Sequence, residues 1–300
     1  MTTGLVLGAG GALGWAFHLG VVDGVHEATG QDIADIARVI GTSAGGAVGA
    51  ALLSGSSTAE VLELISTPPS EEDRARVEVI RNEAAASRLR RLRPAEPRLV
   101  LHARNAGLVQ TIVGLMPAGR FPTTYMRRFA QDVPWPESLW IPSVRLDDGQ
   151  TVIFGRDATP PTLADAVEAT QAIPGMFQPK VIDGARFVDG AIASSTHADE
   201  LLDGAIPGSP HSVPDLAVIA APMIRPGRSP VRALAKLRME REAKMLRRAG
   251  IPTVIVTPGE AVLNAAVGYP GSSPEAGRTI VDAARTQTVE AFARADDNAR

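Results

Sequence analysis

The apolar positions of this chain fall into short continuous runs, each followed by a glycine-rich turn and then by helical spacing. Leu5-Val6-Leu7 runs straight into Gly8-Ala9-Gly10-Gly11-Ala12-Leu13-Gly14. From about Trp15 to Ala28 the residues Leu19, Val22 and Val25 then recur at helical intervals. The same sequence of events repeats at once. Ala37-Arg38-Val39-Ile40 leads into Gly41-Thr42-Ser43-Ala44-Gly45-Gly46, and a helix to Leu53 follows. Strand, glycine turn and helix, twice over, predict a parallel sheet with right-handed crossovers.

Residues 57–140 read differently. They are mainly of helical pattern, broken at Pro68-Pro69, at Pro94 to Pro97 and at Pro117. Beyond them, Ile141 to Leu146 and Thr151 to Phe154 flank Asp147-Asp148-Gly149-Gln150, which predicts a hairpin. A helix is expected from about Leu163 to Ala172, stopped by Ile173-Pro174-Gly175. Val181-Ile182 and Phe187-Val188 are short strands, the second ending at Asp189-Gly190-Ala191. Strands near Leu216–Ala220 and Thr253–Val256 bracket a charged helix, and a last helix runs from about Pro274 to Ala295. The chain reads as a single α/β domain over 1–300, a mainly parallel central sheet between helices, with a mostly helical, cap-like insertion at about 57–140.

Composition narrows the chemistry. With 300 residues the chain can bury a large core, and 45% hydrophobic with 21% charged residues excludes collagen-like, coiled-coil and disordered classes. There is no Cys, which rules out disulfides, zinc–thiolate and iron–sulfur sites and a cysteine nucleophile. The net charge of −3 gives no global field for nucleic acid. Met1-Thr2-Thr3-Gly4 lacks a basic region, so no signal peptide is expected. The uncharged runs Gly4 to Val22 and Val39 to Ala59 are broken by glycines and read as buried strand–loop–helix units. A soluble, cytoplasmic protein is expected.

Gly41-Thr42-Ser43-Ala44-Gly45 has the Gly-x-Ser-x-Gly spacing of a nucleophile elbow, placed between a strand and a helix. A serine on so sharp a turn is strained, and side chains two residues either side would collide. The helix that follows offers free N–H groups and a positive dipole end where an oxyanion forms. Gly45, Gly46 and Gly49 all fall in that helix, which also fits a tight helix–sheet contact with no catalytic serine. The histidines are His18, His26, His102, His197 and His211, and the last 89 residues hold none. A Ser-acid-His order with a late histidine therefore fits poorly. A carboxylate acting directly on the serine is the other option, and Asp189 at the end of an apolar strand is placed for it. Burial raises a carboxylate's proton affinity and makes it a better base. Asp183-Gly184-Ala185, six residues earlier, shows that the same dipeptide also serves as a plain turn. The loop at 8–14 lacks the acidic partner of a dinucleotide fingerprint and the Gly-Lys ending of a P-loop. Consecutive unobstructed N–H groups next to the elbow suit an oxyanion hole.

Taken in order, Gly8 to Gly14, Gly41 to Gly45 and Asp189-Gly190-Ala191 resemble the patatin-like phospholipase family. A fourth block, Ala169-Thr170-Gln171-Ala172-Ile173-Pro174-Gly175-Met176-Phe177-Gln178-Pro179, is similar to that family's Ala-Ser-x-Ala-x-Pro-x-x-Phe-x-Pro segment. The likeness covers roughly residues 4–56 and 140–222. It implies a patatin-like α/β sandwich and a Ser43–Asp189 dyad that hydrolyses acyl esters of lipids without metal or cofactor. It also implies that Gly10 and Gly11 supply the oxyanion-hole N–H groups, while Gly8, Gly14, Gly41, Gly45 and Gly190 shape the motifs. Where the family usually has Arg or Lys, this chain has Leu13, which removes a charge beside the loop.

Two rival readings accompany this one: a small-ester carboxylesterase with the same dyad, and a catalytically weak lipid-binding or regulatory protein, motivated by Leu13. Arg74 to Arg104 carries nine Arg against three Glu, and Arg225 to Arg248 nine basic residues against two Glu. Such segments suit either a solvated helix face or peripheral contact with anionic lipid headgroups. Leu108, Ile112, Val113, Leu115 and Met116 are candidate wall material for an acyl groove.

Overall fold

The structure, a computed structural model, describes residues 1–67, 119–130, 133–157, 162–204, 213–269 and 274–299, with single positions between 75 and 117. Most of the expected insertion, including nearly all of the Arg74 to Arg104 run and Leu108, Ile112 and Leu115, lies outside the described residues.

The first half of the chain follows the pattern read from its apolar runs. β1 (Thr3–Leu7) leads into α1 (Gly11–Thr29), β2 (Arg38–Gly41) into α2 (Ala44–Leu53), and α3 (Thr58–Ser66) follows. After a 3₁₀ turn at Thr124–Phe129 come β3 (Leu139–Arg145), β4 (Thr151–Phe154) and α4 (Leu163–Thr170). β5 (Lys180–Ile182) and β6 (Ala185–Asp189) form a hairpin, followed by 3₁₀ turns at Gly190–Ile192 and Ala198–Leu202. β7 (Leu216–Ala220), α5 (Pro230–Arg248), β8 (Thr253–Val256), α6 (Glu260–Ala265) and α7 (Pro274–Ala299) complete the chain. α1 starts four residues before the expected Trp15, inside the glycine run, because its first turn needs only backbone.

The strands form one sheet in the order β5-β6-β3-β2-β1-β7-β8, with β4 paired to β3. β3, β2, β1, β7 and β8 are mutually parallel, and β4, β5 and β6 are antiparallel additions. The expected mainly parallel sheet is therefore present, with an antiparallel corner. Both its faces are covered, so β1 and β2 are buried at every position and mostly apolar. Leu5, Leu7, Val39 and Val218 face a core shared with α1, α2, α4, α6 and α7. Val6, Ile40, Ala217 and Ile219 face a second core with Met239, Ala243 and Leu246 of α5 and with Ala198 and Leu201.

The chain proceeds outward from β1 through β2 to β3 and later returns to β1's other side with β7. Open α/β sheets bind ligands at the carboxyl ends of strands beside such a reversal. Here those ends are Leu7, which opens the glycine loop, and Gly41, which opens the elbow. Among the described residues no helix is long and apolar enough to cross a membrane.

Candidate active site

Ser43 caps α2 with φ 55° and ψ −117°, a conformation that non-glycine residues adopt only when their surroundings force it. Three bonds do so. The Ser43 N–H donates to Thr170 Oγ1 at 2.9 Å, and the Thr170 hydroxyl donates to the Pro142 carbonyl at 2.7 Å. The Thr42 N–H donates to the Leu7 carbonyl at 2.9 Å, tying the elbow to β1. The flanking glycines are sterically required. A Cβ on Gly45 would lie 1.9 Å from the Leu7 carbonyl oxygen, and one on Gly41 would lie 2.7 Å from the Gly46 Cα. Gly46 likewise sits against the Thr170 methyl. Gly49 does not belong with them: its Cβ would make ordinary contacts, 3.4 Å and beyond. The tight helix–sheet approach expected from all three helical glycines is made by Gly45 and Gly46.

Asp189 ends β6 and is 3% exposed. Its N–H donates to the Ala172 carbonyl at 3.0 Å, and its Oδ1 accepts the Ala191 N–H at 2.8 Å. The Ser43 side chain lies close enough to the Asp189 carboxyl to favour its charged form. Desolvation outweighs this and the Ala191 bond and pushes the carboxyl up to about 7. Gly190 is needed for close approach, since a Cβ there would lie 2.5 Å from the Pro142 carbonyl oxygen. Asp183-Gly184 has the other job: both residues have positive φ and turn the β5–β6 hairpin. Two identical dipeptides thus serve a site and a turn.

In the glycine loop, the Gly8 N–H donates to the Ala220 carbonyl at 2.9 Å and the Ala9 N–H to the Ser195 carbonyl at 2.7 Å. The first helical bond runs from the Gly14 N–H to the Gly10 carbonyl at 3.2 Å. The N–H groups from Gly10 to Leu13 are therefore those that a helix start leaves without a partner. Gly11 has φ +59°, and a Cβ on Gly10 would lie 2.4 Å from the Pro222 ring. A Cβ on Gly14 would come within 3.0 Å of the Ala44 Cβ, so the loop abuts the first residue of α2. Leu13 is 6% exposed within the main core. In this chain the side chain at position 13 packs into the core beside the glycine loop.

Several residues of this neighbourhood carry no obvious mark in the sequence. Thr170 and Ala172 lie in the fourth quoted block, and between them they bond the backbones of Ser43 and Asp189. His18 Nε2 donates to the Gly8 carbonyl at 2.6 Å, because a carbonyl can only accept. Burial pushes His18 down to about 4, so it braces the loop as a neutral ring. His197 Nδ1 shares a 3.2 Å hydrogen bond with Thr42 Oγ1, and burial with Arg238 and Arg156 nearby pushes it down to about 3. His18 stands in an apolar run and His197 in a polar one, and only the fold brings them here. His211 lies outside the described residues. Of the expected groove walls, Val113 is buried against Val144, Leu146 and Val188, whereas Met116 is exposed.

A family model described as patatin-like phospholipase matches residues 5–202. No curated protein sequence matches this chain. Among solved structures, VipD from Legionella pneumophila is 14% identical over 98% of this chain and 67% of its own, with a TM-score of 0.49. The type III effector protein ExoU is 18% identical over 98% of this chain and 53% of its own, with a TM-score of 0.42.

Proposed function

Because this chain belongs to the patatin-like phospholipase family, whose general activity is lipid hydrolysis, we propose that it is a serine acyl hydrolase of ester lipids working through Ser43 and Asp189. The observation that carries this reading is a strained elbow serine, Ser43, close to the buried carboxyl of Asp189, whose proton affinity burial raises to near neutrality. Asp189 takes the hydroxyl proton as Ser43 Oγ attacks the acyl carbonyl. The N–H groups of Gly10 and Gly11 receive the oxyanion, which costs no reorganisation because the loop is fixed from both sides. Asp189 returns the proton to the departing alcohol and then activates the water that releases the acyl group. A base near neutrality suits both directions of transfer.

The test is covalent labelling by a fluorophosphonate together with turnover of a chromogenic ester. The reading expects label at Ser43 and loss of activity in Ser43→Ala by up to ~10⁶-fold, with Asp189→Asn also inactive. Retention of a few per cent of activity by folded Ser43→Ala would sink it.

Lipid, in preference to a small ester, is favoured by what surrounds the site. Ile173, next to the Ala172 that bonds Asp189, is exposed, as are Met176 and Phe121. On the other side, Pro222 packs on Gly10, and the segment after it opens an approximately 490 Å³ cavity lined by Arg225, Arg228, Arg232 and Lys236. Val231, Leu234 and Leu237 are exposed on the same stretch. Cations beside exposed apolar side chains suit an anionic lipid surface, each basic residue contributing about 1 kcal/mol. Sedimentation with vesicles checks this. Reversing Arg225, Arg228 and Arg232 to Glu should weaken binding to phosphatidylserine-containing vesicles by about tenfold or more and leave soluble-ester turnover intact. Equal binding of both proteins to neutral and anionic vesicles would count against it.

A further inference from the structure

The segment 190–198, between Asp189 and the 3₁₀ turn at Ala198–Leu202, has no strand partner, yet it touches every part of the site. It begins at Asp189 itself. Its Ser195 carbonyl accepts the Ala9 N–H of the oxyanion loop at 2.7 Å, and the same oxygen lies 2.9 Å from where a Gly8 Cβ would be. Its His197 shares the hydrogen bond with Thr42, the residue before the nucleophile, and holds a left-handed φ of 53° to do so.

This segment is held from below by α5. Glu242, 6% exposed, accepts from the Ser194 hydroxyl at 2.5 Å, the Thr196 hydroxyl at 2.5 Å and the Ala198 N–H at 2.9 Å. The Ser194 oxygen in turn accepts the N–H groups of Thr196 and His197, both at 3.2 Å. One turn earlier on α5, Arg238 donates to the Ile192 carbonyl at 3.1 Å and to the Ala193 carbonyl. A buried carboxylate is stable only when its lone pairs are filled, and all three donors here come from this one segment.

We infer that Glu242, assisted by Arg238, is a positioning residue that keeps the oxyanion loop, the nucleophile elbow and Asp189 in register through segment 190–198. The hydrogen bonds of both side chains go to residues 192–198, none to Ser43, Asp189 or the glycine loop. The inference rests on the Ser43 reading above. Its consequence is specific: loosening the segment misplaces groups used only in the transition state, so turnover falls while substrate affinity stays.

The test compares kcat and KM for a soluble chromogenic ester, with thermal melting as the check on folding. Glu242→Ala should lower kcat at least about tenfold with KM within about twofold. Glu242→Gln keeps an acceptor for the Ala198 N–H and a partner for the hydroxyls, so it should recover most of that loss. Arg238→Met keeps the side-chain stem, removes the donors to Ile192 and Ala193, and should lower kcat with KM unchanged. A folded Glu242→Ala with kcat within about twofold of the natural protein overturns the inference. If Glu242→Ala does not fold, an Arg238→Met enzyme of unchanged kcat overturns it equally. Failure of the Ser43 reading is separate, since it appears as activity in Ser43→Ala whatever the Glu242 variants do.

Discussion

Burial sets the chemistry of Asp189 and charges the fold for it. Its folded-state affinity near 7 lies above the ordinary carboxylate value of 3.8, so between those limits the folded chain holds a proton that the unfolded chain has released. The stability this contributes is complete below about 3.8 and is lost as pH rises to about 7, while the basic form that the proposed mechanism uses appears around the upper end of that range. Esterase kcat/KM should therefore rise with pH and level off above about 7. Asp189→Asn removes the ionisation, so its lead in melting temperature over the natural protein should be small near about pH 5 and grow to several degrees near about pH 8. The full shift corresponds to roughly 4 kcal/mol, taking about 1.4 per pKa unit. Melting curves at the two pH values check this, and a gap that does not change with pH counts against a buried, titrating Asp189. The position was legible in the sequence as an Asp-Gly after a strand. Its difference from Asp183-Gly184 was not, because it lies in the Pro142 carbonyl of another strand.

In helix α2 one sequence signal hides two physical situations. Gly45 faces the Leu7 carbonyl at a distance that admits no side chain, whereas Gly49 faces Leu139 and Val39 side chains at ordinary separation. Gly45→Ala should force α2 off β1, leaving little soluble folded protein and no activity. Gly49→Ala should raise stability by about 0.5–1 kcal/mol, the usual gain from restricting a helical glycine. Urea melts of Gly49→Ala and soluble yield of Gly45→Ala measure the two, and identical behaviour of both variants would contradict the packing described. The same logic governs α1, where Gly20 and Gly24 lie against the Val281 carbonyl and Thr288 of α7. Element type and order along the chain are local properties, and the apolar runs report them well. Which glycine meets backbone is a property of two elements at once.

At the scale of the molecule, the part matched by the family model ends at residue 202, yet the site does not. β7 pairs with β1 along its whole length, its Ala220 carbonyl takes the Gly8 N–H, and Pro222 packs on Gly10. Glu242 and Arg238 hold segment 190–198 from α5. A chain cut after residue 202 would leave β1 an open edge and uncover the second core, so it should aggregate. Size exclusion and circular dichroism of the 1–202 fragment test this; a monomer with a cooperative melt would show that the later elements are dispensable.

The sequence by itself determined the α/β class, the parallel centre of the sheet and the three glycine-flanked positions at Ser43, Asp189 and Gly10–Gly11. These depend on apolar periodicity and on backbone turns a few residues long, which are written locally. Tertiary structure alone decided what each position experiences. It buried Asp189 until its proton affinity approached neutrality, turned Leu13 into the core, and set His197 on Thr42 at 155 residues' separation. It also brought Glu242 from a helix that reads as a charged surface to the underside of the site. Desolvation and hydrogen bonding depend on which distant segments exclude water together, and no spacing along one chain encodes that directly.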